Sequence, residues 1–436
     1  MRFLSVPSSF ILIPLFLSVF LIPVDSFPYF PVDSVYRPLA IFPLTGVIFY
    51  AIFSGRFNLL GVLVALFSLV VGLHSIATTL IYDHPTEHLP KSVITAVLLA
   101  IMLSAFSVIF NPRIVSPEIR RSILGSASFL ALLATFSVVL IQFLSSSMGI
   151  LQGVSNELTS LFSYRSVGRI QGLSGEPSQL IRNSMLIGTF SILLNRYTIR
   201  VISIGMCFFI VLVSGSTYGY LVIAIFIAIY ILLFEIKAIA NIKVLVALVV
   251  FSIFLSYFYS NHMGSYSKNK IDKVVEVLES PQSLVEVVEI DGSIFQRLMN
   301  PYIGFTSVGF DNVIGRGLDT YRYEYPDQIL IHFPYALKFE TVQNAVVGNN
   351  YITPKSLYSK VYFELGWLIF GLMLLSYLFL YFRVLRTRYE SDKYMLRFGF
   401  CLVVVYPINT DSIIFFNYWI LVMILVSSIY YRSRLF

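Results

Sequence analysis

The sequence predicts an all-α polytopic membrane protein, with about twelve transmembrane helices and a large, partly helical loop on one side. Three observations carry that prediction. Of 436 residues, 57% are hydrophobic and only 12% are charged. That is about half the charge fraction of a soluble domain, so soluble and disordered classes are excluded. The apolar residues fall into runs near the length of about 20 that a helix needs to cross a bilayer. Lys and Arg also rise and fall from one interval to the next, as they do in loops on the two sides of a membrane.

Taken in order, "MRFLSVPSSFILIPLFLSVFLIPVDSF" has the basic residue and apolar core of a secretory signal but a poor small-residue cleavage pattern. It reads as an uncleaved first helix near 8–24. Breaks at charged, Pro and Gly-rich stretches delimit further spans near 38–54, 58–81, 92–110, 122–144, 179–194, 201–213, 217–234, 240–258, 358–382, 397–409 and 412–430. The runs at 201–213 and 397–409 are the shortest of the set.

Placing Arg2 inside and alternating puts most basic residues on one side. The inner segments then hold Arg56; Arg113, Arg120 and Arg121; Arg196 and Arg200; Lys237 and Lys243; Arg383, Arg386, Arg388, Lys393 and Arg397; and Arg432 and Arg434. The outer ones hold chiefly Arg37, Lys91, Arg165 and Arg169. This alternation requires an even number of spans and puts both termini in the cytoplasm. It divides the chain into 1–258, with nine spans and a smaller outer loop near 145–178, a large outer loop at 259–357, and three last spans in 358–436. Within the large loop Ile271, Val274, Val275 and Leu278 repeat at helical spacing, "SLVEVVEIDG" is a second helix candidate, and "TYRYEYP" alternates like a strand.

The formal charge is +7, from 30 Lys and Arg against 23 Asp and Glu. The basic residues sit between apolar runs rather than on one soluble face, so no nucleic-acid partner is expected. Cys207 and Cys401 both lie in apolar runs and make no zinc or disulfide pattern. The one close pair of outer acids, Glu289 with Asp291, reads equally as a solvated helix end. No metal and no cofactor are expected.

Two outer clusters carry candidate chemistry. In "SYRSVGRIQGLSGEPSQLIRN", Arg165 and Arg169 accompany Gly168, Gly172 and Gly175, and Glu176-Pro177 opens the next helix with Arg182 about one turn inside it. An ionisable residue at that depth either faces a cavity or snorkels to lipid phosphate. Guanidiniums beside a Gly-rich loop suit a pyrophosphate, because Arg offers planar paired donors and stays charged in a dry site. The second cluster, "SIFQRLMNPYIGFTSVGFDNVIGRGLDTYRYEYP", places Arg297, Arg316 and Arg322 among Gly304, Gly309, Gly315 and Gly317, with a spacing that is neither a Walker nor a Rossmann loop. Tyr321, Tyr323 and Tyr325 either offer faces to sugar rings or mark the membrane interface. Proton acceptors on the outer side are Glu176, His332, Glu364 and Asp411, with structural roles open for His332 and Glu364.

The order of these features resembles the O-antigen polymerase family (Wzy type) and, more distantly, the O-antigen ligases. The resemblance rests on about twelve spans, the smaller outer loop "RIQGLSGEPSQL", the short turn "SGSTYG", and the late stretches "NPYIGFTSVGFDNVIGRGLDTY" and "SLYSKVYFELGWLIFGLML". Ligases usually carry a His-Asn pair before the late helix, where this chain reads "VVGNNYITPKSLYSK", with Asn349 and Asn350 and no His.

The resemblance implies a GT-C-like fold in a bacterial inner membrane and a metal-independent, inverting glycosyl transfer on the periplasmic face. The substrate implied is an undecaprenyl-pyrophosphate-linked oligosaccharide, with a chain-length regulator and a flippase as partners. With that chemistry, the catalytic candidates are Arg169 and Arg297, together with Glu176 and His332 from the outer-face proton acceptors. Arg165, Arg182, Arg316, Tyr321 and Tyr323 would then hold pyrophosphate or glycan. The alternatives are ligase activity toward lipid A core, or a lipid-linked oligosaccharide flippase. The flippase is disfavoured because the polar residues concentrate in outer loops and no internal repeat is seen.

Overall fold

The structure, a computed structural model, describes residues 9–29, 36–56, 58–162, 170–194, 196–235, 292–309, 311–348, 352–386, 390–410 and 412–430, with residues 272 and 288. The span expected at 240–258, the amphipathic segment at 271–278 apart from residue 272, Glu289, Asp291, Asp411, and Arg165 and Arg169 lie outside the described residues.

The described residues form an all-α membrane protein. Five of its helices are long and apolar enough to cross a bilayer. The helices are α1 (Ser9–Phe20), α2 (Leu44–Phe53), α3 (Leu59–Ile81), α4 (Leu89–Ile109), α5 (Pro117–Met148), α6 (Gln152–Phe162), α7 (Pro177–Ser191), α8 (Tyr197–Ser214) and α9 (Thr217–Phe234). Farther along the chain come α10 (Gly292–Thr306), α11 (Tyr321–His332), α12 (Glu340–Val346), α13 (Leu357–Leu385), α14 (Glu390–Val405) and α15 (Phe416–Tyr430). No strand occurs among the described residues; Ser26 and Arg37 make an isolated bridge.

Local chemistry explains the boundaries. The Asn58 side chain caps α3 by accepting from Gly61 N–H at 2.6 Å, and its amide donates to the Ser107 carbonyl at 2.9 Å, joining α3 to the end of α4. Helix α5 outruns its apolar stretch at both ends. Ser116 caps it ahead of Pro117 and Glu118, and Gly149 stops it in the left-handed region at φ 69°. The "SGSTYG" turn does the same in miniature: Gly215 ends α8 at φ 59° and Ser216 caps α9. The expected 397–409 span is displaced to α14 at 390–405, because Pro407 sits in a short 3-10 turn, Tyr406–Asn409.

One apolar core runs through the bundle, including Leu15, Leu99, Phe106, Leu132, Phe190 and Leu421. A second core belongs to the large loop: Phe295 and Ile303 of α10, Tyr321, Tyr325 and Ile329 of α11, and Val342 of α12 close on Phe363 of α13. This corrects the strand expected from "TYRYEYP". Burial there falls at 321, 325 and 329, a spacing of four, so the alternating tyrosines belong to a helix.

The bundle has two chemically distinct ends. At one, Arg56 donates to the Tyr50 hydroxyl at 2.6 Å, Arg120 to the Ile109 carbonyl at 3.2 Å and Arg121 to the Leu193 carbonyl at 2.8 Å, and Arg397 pairs with Glu235 at 2.8 Å. The other end gathers the α1–α2 and α3–α4 connections, the 170–176 loop, α10–α12 and the 406–415 segment.

Candidate functional site

Two buried polar clusters stand at this loop-rich end. Each is built from segments far apart in the chain.

The first surrounds Asp25, on the connection between α1 and α2, with a side chain closed off from solvent. One carboxylate oxygen accepts from Gly175 N–H at 2.8 Å and the other from the Asn183 amide at 2.7 Å. The Asn183 amide also donates to the Ser174 hydroxyl at 2.9 Å, and its carbonyl accepts from the Asn417 amide at 2.6 Å. The Ser174 hydroxyl donates to the Pro23 carbonyl at 3.0 Å. Burial lifts the Asp25 carboxyl to about 7, against the pull of Gly175 N–H, Asn183 and the charge of Arg182.

Arg182, one turn into α7, is 5% exposed, and its guanidinium lies 5.2 Å above the Phe415 ring. The Tyr406 hydroxyl donates to its carbonyl at 2.9 Å. Glu176 is half-buried at the head of α7, where its carbonyl accepts from Gln179 and Leu180 N–H groups.

The second cluster forms where α13 breaks. Gly366 has φ 85° and ψ 165° inside that helix, and the 312–317 turn docks into the gap. Arg316 and Gly317 N–H donate to the Phe363 and Glu364 carbonyls at 3.0 and 2.9 Å. Trp367 and Leu368 N–H donate back to the Asn312 and Val313 carbonyls. A Cβ on Gly315 would meet the Glu364 carbonyl, and one on Gly366 the Val313 carbonyl, so neither position accepts a side chain.

Just beyond the turn, Asp319 takes φ 62°, a conformation that Asp tolerates better than most residues. Its carboxylate lies 2.9 Å from Lys360 and 3.7 Å from Lys91, and Lys360 lies 3.3 Å from Glu364. Lys360, Asp319 and Glu364 are buried, with side chains 6%, 7% and 1% exposed. Two cations therefore meet two carboxylates out of water, which is tolerable only because they are paired.

A more open rim adjoins this network. The Arg316 guanidinium sits 4.3 Å above the Tyr82 ring, with Nε 3.5 Å from Glu324. Arg322 lies 4.7 Å above Tyr323 and donates to its hydroxyl at 2.6 Å. His84 stacks on Tyr323 at 5.6 Å, and His88 meets its edge at 5.6 Å. Burial, then His88 and Arg316, lowers the His84 pKa, while burial raises that of Glu324 against the pull of Arg316.

The predicted residues fall in separate places. Glu176 and Arg182 belong to the Asp25 cluster, and Arg316 and Tyr323 to the rim. Arg297 is half-buried on α10, which packs on α13. His332 is exposed at the end of α11. Tyr321 is corrected: it is 2% exposed, and its hydroxyl donates to the Asn300 carbonyl at 3.0 Å, so it is core rather than a platform for sugar. Glu364, open between base and cap at the level of sequence, is an ion-pair member inside α13.

Asp25, Asn183, Asn417, Asp319, Lys360, His84 and His88 carry the geometry without having been singled out for it. Lys360 and Glu364 had a legible signal, opposite charges four apart at the start of an apolar run. Asp25 had none beyond being a carboxylate at the edge of a span. Among the described residues no three His, Cys, Asp or Glu side chains are grouped to hold a metal ion.

The clusters are mechanically linked. The Ser356 hydroxyl, at the head of α13, donates to the Pro407 carbonyl at 3.0 Å, and Tyr406 in that same turn holds the Arg182 carbonyl. Compared with known proteins, the chain matches no protein-family model and no curated protein.

Proposed function

We propose that this chain is a polymerase of the O-antigen type. It would span a bacterial inner membrane about twelve times with both termini cytoplasmic, in a GT-C-like arrangement, and join undecaprenyl-pyrophosphate-linked repeat units on the periplasmic face. The observation that carries the reading is the concentration, at one end of an all-α membrane protein, of cations and buried carboxylates around two loop segments.

That inventory suits the chemistry. The acceptor hydroxyl oxygen bonds to the anomeric carbon of the growing chain, with inversion, as the bond from that carbon to the pyrophosphate oxygen breaks. The electron pair leaves with the pyrophosphate and the hydroxyl proton passes to a base. Pyrophosphate is already a good leaving group, so the protein has chiefly to orient two lipid-bound substrates and stabilise departing charge. Arg165, Arg169, Arg182, Arg297 and Arg316 are assigned to that charge, Tyr323 to the glycan, and Glu176 or His332 to the proton. Membrane lipid surrounds the enzyme, and a chain-length regulator and a flippase act beside it.

The test is the lipopolysaccharide ladder of a strain lacking this chain, beside the complemented strain. Core carrying one repeat unit is the expected result, because flipping and ligation still operate. Bare core with long polymer held on its carrier would overturn the reading in favour of a ligase. Repeat units trapped on the cytoplasmic side would overturn it in favour of a flippase. Complementation with Arg297→Ala is expected to leave the single-unit product at normal protein level.

A further inference from the structure

We propose that Asp25 is a positioning residue that fixes the 171–176 loop and the head of α7, and with them Arg182, for the transfer; this inference rests on the function proposed above. Asp25 reaches three parts of the fold at once. Its own segment is held to the next by the Leu39 N–H bond to the Val24 carbonyl at 3.0 Å. Its two oxygens hold Gly175 and Asn183, and through Asn183 the hub extends to Asn417 on α15.

The approach is close throughout. A Cβ on Gly175 would lie 2.6 Å from the Ser26 Cβ, so the loop rests directly on the α1–α2 connection. Farther along the same loop, Gln142 of α5 accepts from Gln171 and Gly172 N–H at 3.1 and 2.9 Å. The loop is thus clamped from both sides by side-chain acceptors, and Arg182 lies seven positions after Gly175, one turn into α7. A buried carboxylate is a costly way to gain stability, since apolar packing of equal volume serves as well or better. What it supplies instead is direction: two acceptors with fixed lines of approach, each matched to one donor.

Donor and acceptor roles make the idea testable. In Asp25→Asn the new amide takes Gly175 N–H on its one oxygen and turns its NH₂ against the Asn183 NH₂, donor against donor. In the exchange Asp25→Asn with Asn183→Asp, the Asn amide donates to the new carboxylate, whose other oxygen still accepts from Asn417. Ser174 then swings its hydroxyl proton from Pro23 to the carboxylate.

The experiment measures protein yield, melting midpoint in detergent, and transfer kinetics with purified lipid-linked repeat units, for wild type, the single variant and the exchange. Expected is a rise of about ten-fold or more in KM for the lipid-linked donor in Asp25→Asn, at wild-type yield and midpoint. The exchange is expected to return KM to within about three-fold of wild type. Loss of yield and midpoint in step with activity would overturn the proposal, leaving Asp25 a fold residue only. So would an exchange no better than the single variant, or a single variant with wild-type kinetics. A deletion strain that keeps its full ladder would defeat the proposed function itself. A deletion strain reduced to single units, beside an Asp25→Asn strain with the full ladder, would defeat this inference alone.

Discussion

The Asp25 cluster and the Asp319 cluster solve the same problem by different means. Both tie a loop to helices that are distant in sequence, at the same end of the bundle. The first uses amides and one carboxylate, with each donor assigned to one acceptor. The second uses charge, with two lysines shared between two carboxylates, and adds backbone bonds across a helix break. Amide networks are directional and modest in energy, whereas ion pairs out of water are nearly neutral when complete and very costly when broken. The first cluster is therefore suited to setting geometry and the second to holding the large loop down.

The comparison breaks most visibly at Lys360. Lys360→Met leaves Asp319 and Glu364 without their shared cation and is expected to cost about 3–5 kcal/mol, read from unfolding in detergent. A cost under about 1 kcal/mol would show that the two carboxylates are not held by charge. Next comes Gly366→Ala, which forces a side chain into φ 85° and against the Val313 carbonyl. About 1–3 kcal/mol is expected from the backbone conformation, together with faster proteolysis of the 307–320 segment. Asn417→Ala removes one donor from Asn183 and is expected to cost about 1–2 kcal/mol, with a shift in donor KM rather than in yield.

A pH slope tests the first cluster separately. Asp25 has an ordinary value of 3.8 and titrates at about 7 in the folded protein, where Arg182, Glu176 and Tyr36 also bear on it. Between those values the folded chain holds a proton that the unfolded chain has lost, so this proton favours folding. The contribution is complete below the lower value and is lost as pH rises through about 7. The melting midpoint of wild type should fall across that window, and Asp25→Asn should flatten the fall. Equal slopes in both would mean that Asp25 does not titrate there.

Much of the fold was legible because it follows from solvent. Apolar runs bounded by Gly, Pro and charge became helices at nearly the expected places, from α3 at 59–81 to α13 at 357–385. Errors came where local chemistry outran hydropathy, as in α5, extended by its caps, and α14, which starts earlier than expected and ends ahead of Pro407. The site was less legible. Arg182 and Arg316 stood out as cations among glycines, and both entered buried or half-buried settings. Asn183 and Asn417 carry no signal, since an amide in a helix becomes a recognisable partner only when another segment arrives 2.6 Å away. Tyr321 and Tyr323 are two residues apart, yet one is core and the other faces His84. Helical phase, not residue type, separates them.

The gap in α13 bears on how that helix is held together. Four backbone groups beside Gly366, the carbonyls of Phe363 and Glu364 and the N–H groups of Trp367 and Leu368, find their partners in the 312–317 turn. A helix normally enters the bilayer with such needs met internally. This one does not, so the folded α13 depends on a segment about fifty residues earlier in the chain. The helix is completed by a piece of chain outside it, so α13 and the 312–317 turn are expected to form or melt as one unit.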